Sequence, residues 1–396
     1  MSGGAAFRHL VVGGGPMGAS AARHLAEAGQ KVLLLAPRDP ATSPEGPGLP
    51  SSHADFSRVT RRLDADATWA RLAVDSVARY RTLERESGIP FFTESGCLTI
   101  VEGDDERASS QLAAFEKVGA GLDVPHERLV GAGLDERFPF LRVAAGTAAL
   151  HEPTNAGWLD PRAYVRAQVA VGVANGLEVR YEPMVSAAMT GGTVELVTRS
   201  GDRVVGDNAV FAMGPYSAFD LPVADAQELV VYARTVVHVR LSQLQVEELG
   251  PLPSMIVRGT VDEKNCYILP PAQYPDGHWY IKIGGGRRAQ GIETRGELDE
   301  WFSGRGDAVL GAALRDRLGE LLPVTQGGAG TTQACAITVT QSAYPRMVRL
   351  GERAVLLTGG NGHAAKSGDE IGRLAAGMVL GRDGWSAEYP AGTFSA

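Results

Sequence analysis

The sequence predicts an α/β protein built around a Rossmann-like βαβ unit. Residues 8–35 follow the order strand, glycine turn, helix, strand, and the segment AVLLTGG near the C-terminus has the pattern of a buried strand that enters a second glycine turn. The segment DGHWYIKIGGG alternates as a half-buried sheet strand does. At 396 residues, the chain is long enough for two or three domains and for a cavity that encloses a large ligand.

The N-terminal motif lies between two predicted strands, residues 10–12 and 32–35. Three glycines with the spacing G-x-G-x-x-G precede an amphipathic helix that ends near Gly29. Glycine at these places lets the backbone turn tightly, lets a pyrophosphate approach, and lets the helix pack against the strand. Because two strands and a helix surround it, the motif predicts dinucleotide binding. The glycines are Gly13, Gly15 and Gly18.

One feature of this motif is missing. An acidic residue at the end of the second strand usually binds the adenosine ribose, but Ala36 stands there. Arg38 follows, and an arginine at this point can accept a 2′-phosphate, while Asp39 is a possible displaced ribose partner. An NAD(P)H-dependent reductase therefore stays open as an alternative.

Composition argues against several classes of partner. The 38 basic and 46 acidic residues give a net charge of -8, which disfavours nucleic acid and anionic membrane surfaces. Cys97, Cys266 and Cys335 are too widely spaced for a disulfide framework or a metal site, and they fit a reducing compartment. No segment approaches the roughly 18 to 20 apolar residues of a membrane helix, and no signal peptide is evident. We expect a cytoplasmic protein without a metal.

Four further segments occur in a specific order. SSHADFSRVTRR follows the second strand, NAGWLDPRAYVRAQVAVGVANG lies mid-chain, DNAVFAMGPYS ends a strand, and LLTGGNGHAAKSGDEIG lies near the C-terminus. In this order they resemble the sarcosine oxidase and pipecolate oxidase family of flavoproteins, within the wider D-amino acid and glycine oxidase group. The most specific part is the segment around Cys335 followed by G-x-G-H-x-x-K.

The resemblance implies FAD and two interleaved domains. A Rossmann-like FAD-binding domain would comprise residues 1–88, 151–226 and 330–396. A substrate domain of the α+β type, built on an antiparallel sheet, would comprise residues 89–150 and 227–329.

The C-terminal segment has a local pattern of its own. Ser367 and Glu370 have the S-x-x-E spacing of a capping box, which predicts an amphipathic helix that starts there and ends at Gly381. The helix would begin beside the glycine turn of residues 359–362, with its positive end toward the flavin.

The resemblance also implies a covalent cofactor. Cys335 alone favours core filling, because free cysteine is among the most buried residue types. In the resembling family, however, a cysteine at this place is joined through sulfur to the 8α-methyl of the flavin, which requires a thiolate. The interval from His53 to Arg58 is one residue longer than the family pattern. The residues expected beside the cofactor are Ser52, His53, Arg58, Gly360, Gly362, His363 and Lys366.

Three cations and one tyrosine match the family's substrate site. Arg61 and Lys366 would bind the substrate carboxylate, which needs cationic partners when buried. Lys282, in YIKIGGG, matches a lysine that sits over the flavin and activates oxygen, and Tyr267 matches a pocket tyrosine. The residues alone leave open a solvated basic run at Arg61, a surface lysine at position 282, and plain sheet packing of Tyr267.

These roles imply oxidation of a secondary amine or amino acid. Hydride transfer from the amine carbon to flavin N5 would give an imine, and molecular oxygen would be reduced to hydrogen peroxide. Ile337, Ala365 and Gly286 replace larger family residues, so we expect a substrate bulkier than sarcosine unless Tyr267 or Trp279 fills the space. A non-catalytic flavin-binding subunit is the other alternative. The oligomeric state is left open.

Overall fold

The computed structural model describes residues 7–38, 51–190, 192–221, 223, 226, 228–286, 290–382, 388–390 and 392–395. Asp39 lies outside the described residues. The helices are α1 (Pro16–Glu27), α2 (Ala67–Ser87), α3 (Glu106–Gly121), α4 (Ala132–Arg137), α5 (Pro161–Ala174), α6 (Ser217–Asp220), α7 (Gln243–Leu249), α8 (Arg295–Ser303), α9 (Ala308–Leu321) and α10 (Ala364–Val379).

An eight-stranded sheet contains the predicted βαβ unit. Its order is β10-β11-β12-β1-β2-β9, and β20 pairs with β12 on one side and β19 on the other. The central pairs are parallel, and all four residues of β2 are buried, as expected of a strand covered on both faces. The strands are β1 (Phe7–Val12), β2 (Val32–Leu35), β9 (Glu178–Arg180), β10 (Met184–Thr190), β11 (Thr193–Thr198), β12 (Arg203–Phe211), β19 (Arg346–Leu350) and β20 (Ala354–Thr358).

The second large sheet has nine strands and is mostly antiparallel. Its order is β17-β13-β16-β15-β14-β5-β7-β6, and β18 also pairs with β13. Within it, β14 and β5 form a parallel pair. The strands are β5 (Cys97–Val101), β6 (Glu127–Val130), β7 (Ala148–Glu152), β13 (Val230–Leu241), β14 (Ser254–Arg258), β15 (Cys266–Gln273), β16 (Trp279–Gly285), β17 (Gly291–Ile292) and β18 (Gly330–Val339).

A small antiparallel sheet of β3 (Arg58–Thr60), β8 (Gly157–Leu159) and β4 (Phe92–Thr93) completes the described strands. The predicted mixture of a Rossmann-like sheet and an antiparallel sheet is confirmed. Residues 330–339, which the resemblance assigned to the FAD-binding domain, pair along their length with β13 of the nine-stranded sheet. The division of the chain into domains stays a prediction.

Two helices from opposite ends of the chain approach each other closely. A Cβ added at Gly372 would lie 2.4 Å from Cβ of Ser20, so a side chain there would force α1 and α10 apart. Beside this contact, the fully buried Asp369 accepts hydrogen bonds from Arg23 at 2.9 Å and Arg79 at 2.6 Å. The carboxylate therefore joins α10 to both α1 and α2.

The predicted capping box is wrong. Helix α10 begins at Ala364, and both Ser367 and Glu370 are buried inside it. The glycine turn ends at Gly362, so the helix can start at once, and the S-x-x-E spacing only places two polar residues on one helical face. His363 occupies the N-cap position, and no described side chain caps this end. The predicted end is correct to within a residue, since Leu380 is the C-cap and Gly381 has φ +69°.

We predict that Asp369→Asn lowers the free energy of unfolding by about 3 kcal/mol, because it removes the buried carboxylate that Arg23 and Arg79 share and leaves each with only its second carboxylate partner, Glu27 or Glu370. Chemical denaturation of the holoprotein measures the loss. Asp316→Asn, at an exposed carboxylate, is the control, with an expected change within about 0.5 kcal/mol. Equal effects of the two substitutions would contradict the assignment.

Candidate functional site

The glycine motif forms a cradle in front of α1. Gly13 has φ +106°, and a Cβ there would lie 2.3 Å from the carbonyl oxygen of Ala212; a Cβ on Gly18 would lie 2.0 Å from the carbonyl oxygen of Gly13. At Gly15 the situation differs, because a Cβ would meet nothing closer than Nδ1 of His53 at 3.6 Å. Gly15 is the N-cap of α1, and no described side chain caps the helix. Its first-turn N–H groups therefore face open space, as a pyrophosphate site requires.

One cavity of about 1370 Å³ begins at this cradle. It extends past the second glycine turn to the buried cations and to Cys335. Of the residues predicted for the site, Gly18 and Lys282 do not line the cavity. Those that line it are Gly13, Gly15, Ser52, His53, Arg58, Arg61, Tyr267, Cys335, Gly360, Gly362, His363 and Lys366.

The cradle end of the cavity includes Ala36, where the ribose-binding acid was expected; a Cβ on Gly14 would lie 2.6 Å from Cβ of Ala36. The guanidinium carbon of Arg38 lies 6.0 Å from the ring centre of Tyr181, and Glu182 also lines this end. The predicted alternative partner Asp39 is outside the described residues. Glu182 is thus a described carboxylate in the right region, brought there because β9 pairs with β2.

Cys335 differs from the other two cysteines. It is half-buried on β18, where its carbonyl accepts a 2.7 Å hydrogen bond from Nε1 of Trp301. The guanidinium of Arg58 lies 3.8 Å from its sulfur, so a positive charge stands beside the thiol. Cys97 and Cys266 are buried, and burial raises the pKa of each thiol to about 12. Cys266 also lines the cavity, but of the two cavity cysteines only Cys335 is partly exposed, and Arg58 lies beside its sulfur.

Arg58 belongs to a buried ion cluster centred on Asp55. The Asp55 carboxylate accepts hydrogen bonds from Arg58 and Lys282, and His238 Nε2 lies 3.3 Å from its other oxygen. Burial opposes ionisation, but Lys282 and then Arg58 hold the pKa of Asp55 well below its usual range. The cluster therefore carries one carboxylate against two permanent or near-permanent cations, with the guanidinium of Arg58 facing the cavity.

Lys282 belongs to this cluster but does not line the cavity. Its side chain is 1% exposed, and its ammonium donates to Asp55 and to the carbonyl of Ser57. The alternative of a surface lysine is wrong, because the β16 face that carries Lys282 packs inward. Burial, and then the Arg58 guanidinium, lower the pKa of Lys282 to about 8. Its predicted role over the flavin stays a prediction.

A second cluster is centred on Asp64. Its Oδ2 accepts hydrogen bonds from Arg61 Nη1 at 3.0 Å and from Lys366 Nζ at 2.6 Å. Both cations are almost completely buried, so the alternative of a solvated basic run at Arg61 is wrong. Nε of Arg61 is buried and has no partner among the described residues. The cluster thus contains an unsatisfied buried donor within a positively charged wall of the cavity.

Protonation states follow from the burial of these groups. Despite burial, Lys366 and then Arg61 hold the pKa of Asp64 below its usual range, whereas burial and then Arg61 lower the pKa of Lys366 to about 8. Burial, and then Lys366, lower the pKa of His363 to about 3, so its ring is neutral near pH 7. That ring stacks on Trp69 with centres 4.5 Å apart.

Tyr267 and the three small residues line the same cavity. Burial raises the pKa of Tyr267 to about 12, so its hydroxyl keeps its proton near pH 7. Ile337, Ala365 and Gly286 all border the cavity. Trp279, a possible filler of the vacated space, instead packs against the core of the nine-stranded sheet and does not line the cavity.

Sequence reasoning missed Asp55, Asp64, His238 and Arg258. Asp55 lies between His53 and Arg58, in the interval that is one residue longer than the family pattern. This extra residue was the sequence signal that could have pointed to Asp55. Arg258 ends β14 and lines the cavity, yet no motif includes it. The pairing of β14 with β5, which is distant in sequence, helps to bring it there.

In the described part of the chain, no helix is long and apolar enough to cross a membrane.

The model of the FAD dependent oxidoreductase family matches residues 8–378. The monomeric sarcosine oxidase of Streptomyces avermitilis is 30% identical over 174 residues, which are 44% of this chain and 42% of that protein. That of a Bacillus species is 26% identical over 234 residues, 57% of each. The chain thus spans about half the length of these curated relatives.

A solved structure extends the similarity to nearly the whole chain. NikD, described as an unusual amino acid oxidase essential for nikkomycin biosynthesis, superimposes with a TM-score of 0.78 at 20% identity. The alignment covers 98% of this chain and 97% of NikD. At this identity the similarity supports the fold alone. Together with the family match, it confirms the predicted resemblance and fold class.

The cations of the Asp64 cluster predict that a small carboxylate binds more weakly as pH rises. Lys366 must keep its proton, so the dissociation constant of propionate should increase above pH 8, by up to about tenfold per pH unit. Isothermal titration calorimetry of the holoprotein between pH 6.5 and 9.5 measures this. Lys366→Arg should keep binding at high pH, because arginine stays charged. A flat wild-type profile would exclude Lys366 as an anion ligand.

Proposed function

Because the chain belongs to the FAD dependent oxidoreductase family, we propose that it oxidises a secondary amine or amino acid at the carbon next to nitrogen. The products would be an imine and hydrogen peroxide. The observation that carries the proposal is the Asp64 cluster, in which two buried cations, Arg61 and Lys366, border the same cavity as the glycine cradle. An amino-acid carboxylate needs such partners when it leaves water.

The described residues fit FAD at several points. Gly13 and Gly15 form a cradle before an uncapped helix, which suits a pyrophosphate. The second uncapped helix begins at Ala364 beside the same cavity, and its positive end suits an anionic ring. When bound, FAD supplies hydride acceptance and electron transfer to oxygen. With no acid at Ala36, Glu182, which lines the same cavity just after β9, is a candidate carboxylate for the ribose.

We assign Cys335 as the covalent attachment point of the cofactor. The thiol borders the cavity, and the guanidinium of Arg58 stands 3.8 Å from its sulfur. Covalent attachment needs a nucleophilic sulfur that can reach the ligand, and the Cys335 thiol meets the second condition. Hydrogen bonds from Trp301 and Ser52 to the carbonyls of Cys335 and Ala336 hold the strand in place.

The chain's own groups position the substrate and supply no obvious base. Arg61 and Lys366 would hold the carboxylate and so fix the orientation of the neighbouring amine. Tyr267 keeps its proton, and Asp64 is neutralised by its two cations. The amine must therefore arrive neutral or lose its proton to solvent. Ile337 and Ala365 border the cavity and favour a substrate bulkier than sarcosine. Gly286 adds no space, because a Cβ there would lie 2.9 Å from Cδ1 of Leu310.

For the reaction with oxygen, the proposal uses the Asp55 cluster. Arg58 and Lys282 share one carboxylate, so one positive charge remains next to the cavity. A fixed, buried positive charge stabilises developing superoxide through space, even from a residue that does not line the cavity.

Three free cysteines support a cytoplasmic location.

Two alternatives remain as outcomes of experiment. Family membership favours FAD over the nicotinamide cofactor of a reductase. A non-catalytic flavin-binding subunit would contain FAD but would not be reduced by any amine in an anaerobic substrate screen. Reduction by at least one amine or amino acid would support the oxidase.

Cys335→Ser should release the flavin. After acid precipitation, wild-type protein should keep its flavin absorbance in the pellet, whereas the variant should lose it to the supernatant, because serine cannot form the thioether. Cys97→Ala, at a buried thiol outside the cavity, is the matched control and should keep the flavin. Wild-type flavin in the supernatant would rule out covalent attachment.

Lys282→Gln should lower kcat/KM for oxygen by about 10²-fold, because it removes one buried positive charge while keeping a donor to Asp55. The effect on kcat/KM for the amine should be much smaller. Steady-state kinetics at varied oxygen concentration separate the two constants. Lys264→Gln, at an exposed lysine, is the control. Equal losses in both constants would assign Lys282 a structural role.

A further inference from the structure

Arg258 is a cation in the cavity that the proposed reaction does not use. On β14, the side chains of Met255 and Val257 belong to the hydrophobic core, and the cavity is bordered by the end of the strand, from Ile256 to Arg258. The guanidinium of Arg258 has no hydrogen bond or ion pair with any described side chain. Burial, and then the guanidinium of Arg61, lower the pKa of Arg258, so the two cations are close enough to repel each other.

This end of the cavity has more positive charge than one carboxylate can balance. Arg61, Lys366 and Arg258 are positive, and Asp64 is the carboxylate that contacts this group. Two positive charges are left, since His363 is neutral. A substrate with one carboxylate and a neutral amine would compensate one of them. The other would stay half-buried without a counter-charge, which is unfavourable.

Neighbouring acids do not fill this role. Glu152, which faces Lys366, is buried and paired with Arg62 at 2.9 Å. Asp262 and Glu263 also line the cavity, but both are exposed and neither forms an ion pair with Arg258; the Asp262 carboxylate accepts a hydrogen bond from Asn265 at 3.1 Å. No described carboxylate lies within 4 Å of the Arg258 guanidinium, so its donors are available to a ligand.

We propose that the substrate carries a second carboxylate and that Arg258 binds it. This inference rests on the proposed function and deepens it, because it names the substrate class: a secondary amino acid with two acidic groups. Arg61 and Lys366 bind the carboxylate next to the reacting carbon. Arg258, which borders the same cavity, binds the distal carboxylate.

Binding of matched anions tests the proposal independently of turnover. Isothermal titration calorimetry of the holoprotein at pH 7 compares glutarate with its monoamide, glutaramate, which has the same size and one charge less. Glutarate should bind about tenfold tighter or more, as expected for one charge-assisted hydrogen-bonded pair. In Arg258→Gln this ratio should fall toward one, and in Arg258→Lys part of it should return. Lys264→Gln removes an exposed charge on the adjacent turn and should keep the wild-type ratio.

A parallel substrate comparison separates the two levels of the argument. Wild-type protein should have a kcat/KM about tenfold higher or more for N-methylglutamate than for N-methylglutamine, and Arg258→Gln should lose most of this preference. If glutarate and glutaramate bind equally, or if Arg258→Gln keeps the wild-type ratio, the second carboxylate site is wrong. If amines are oxidised without a preference for the diacid, only this inference fails. If no amine or amino acid reduces the flavin, the proposed function fails as well.

Discussion

The site depends on one buried carboxylate, Asp64, shared by two cations. Arg61 and Lys366 come from distant parts of the chain, and without the anion between them their desolvated charges would repel each other. Their shared contact therefore fixes the start of α10 against the segment that follows β3. Each cation donates one hydrogen bond to Asp64, so its remaining N–H groups can bind a ligand. Fold and binding site thus rest on the same interaction.

The sequence predicted features that depend on neighbouring residues. The strand Val32–Leu35, the glycine turn before α1 and the strand Trp279–Gly285 follow from local patterns, and all are observed. The capping box at Ser367 failed for the same reason, because its spacing is equally compatible with a helix interior. Local pattern gives the kind of element and does not fix where it begins when a glycine turn stands directly before it.

Contacts between distant segments could not be predicted in this way. Asp55 and His238 are 183 residues apart, and the pairing of β14 with β5 helps to bring Arg258 to the cavity. None of these residues carries a motif. Resemblance supplied Arg61 and Lys366 as cations, but it did not supply the anion that holds them. The same holds for Lys282, which the resemblance predicted as a site residue without predicting its partner Asp55.

The two ion clusters have the same design and differ in what they leave exposed. In each, an aspartate pairs with an arginine three residues away and with a distant lysine whose pKa is lowered to about 8. At Asp55 the lysine is enclosed, so one guanidinium meets the cavity next to Cys335. At Asp64 both cations border the cavity, and Arg258 adds a third. The cysteine end also carries a second guanidinium, because Arg234, the strand partner of Cys335, lines the cavity. At the Asp64 end, three cations border the cavity around one buried carboxylate, so a ligand with two acidic groups would balance the charge there.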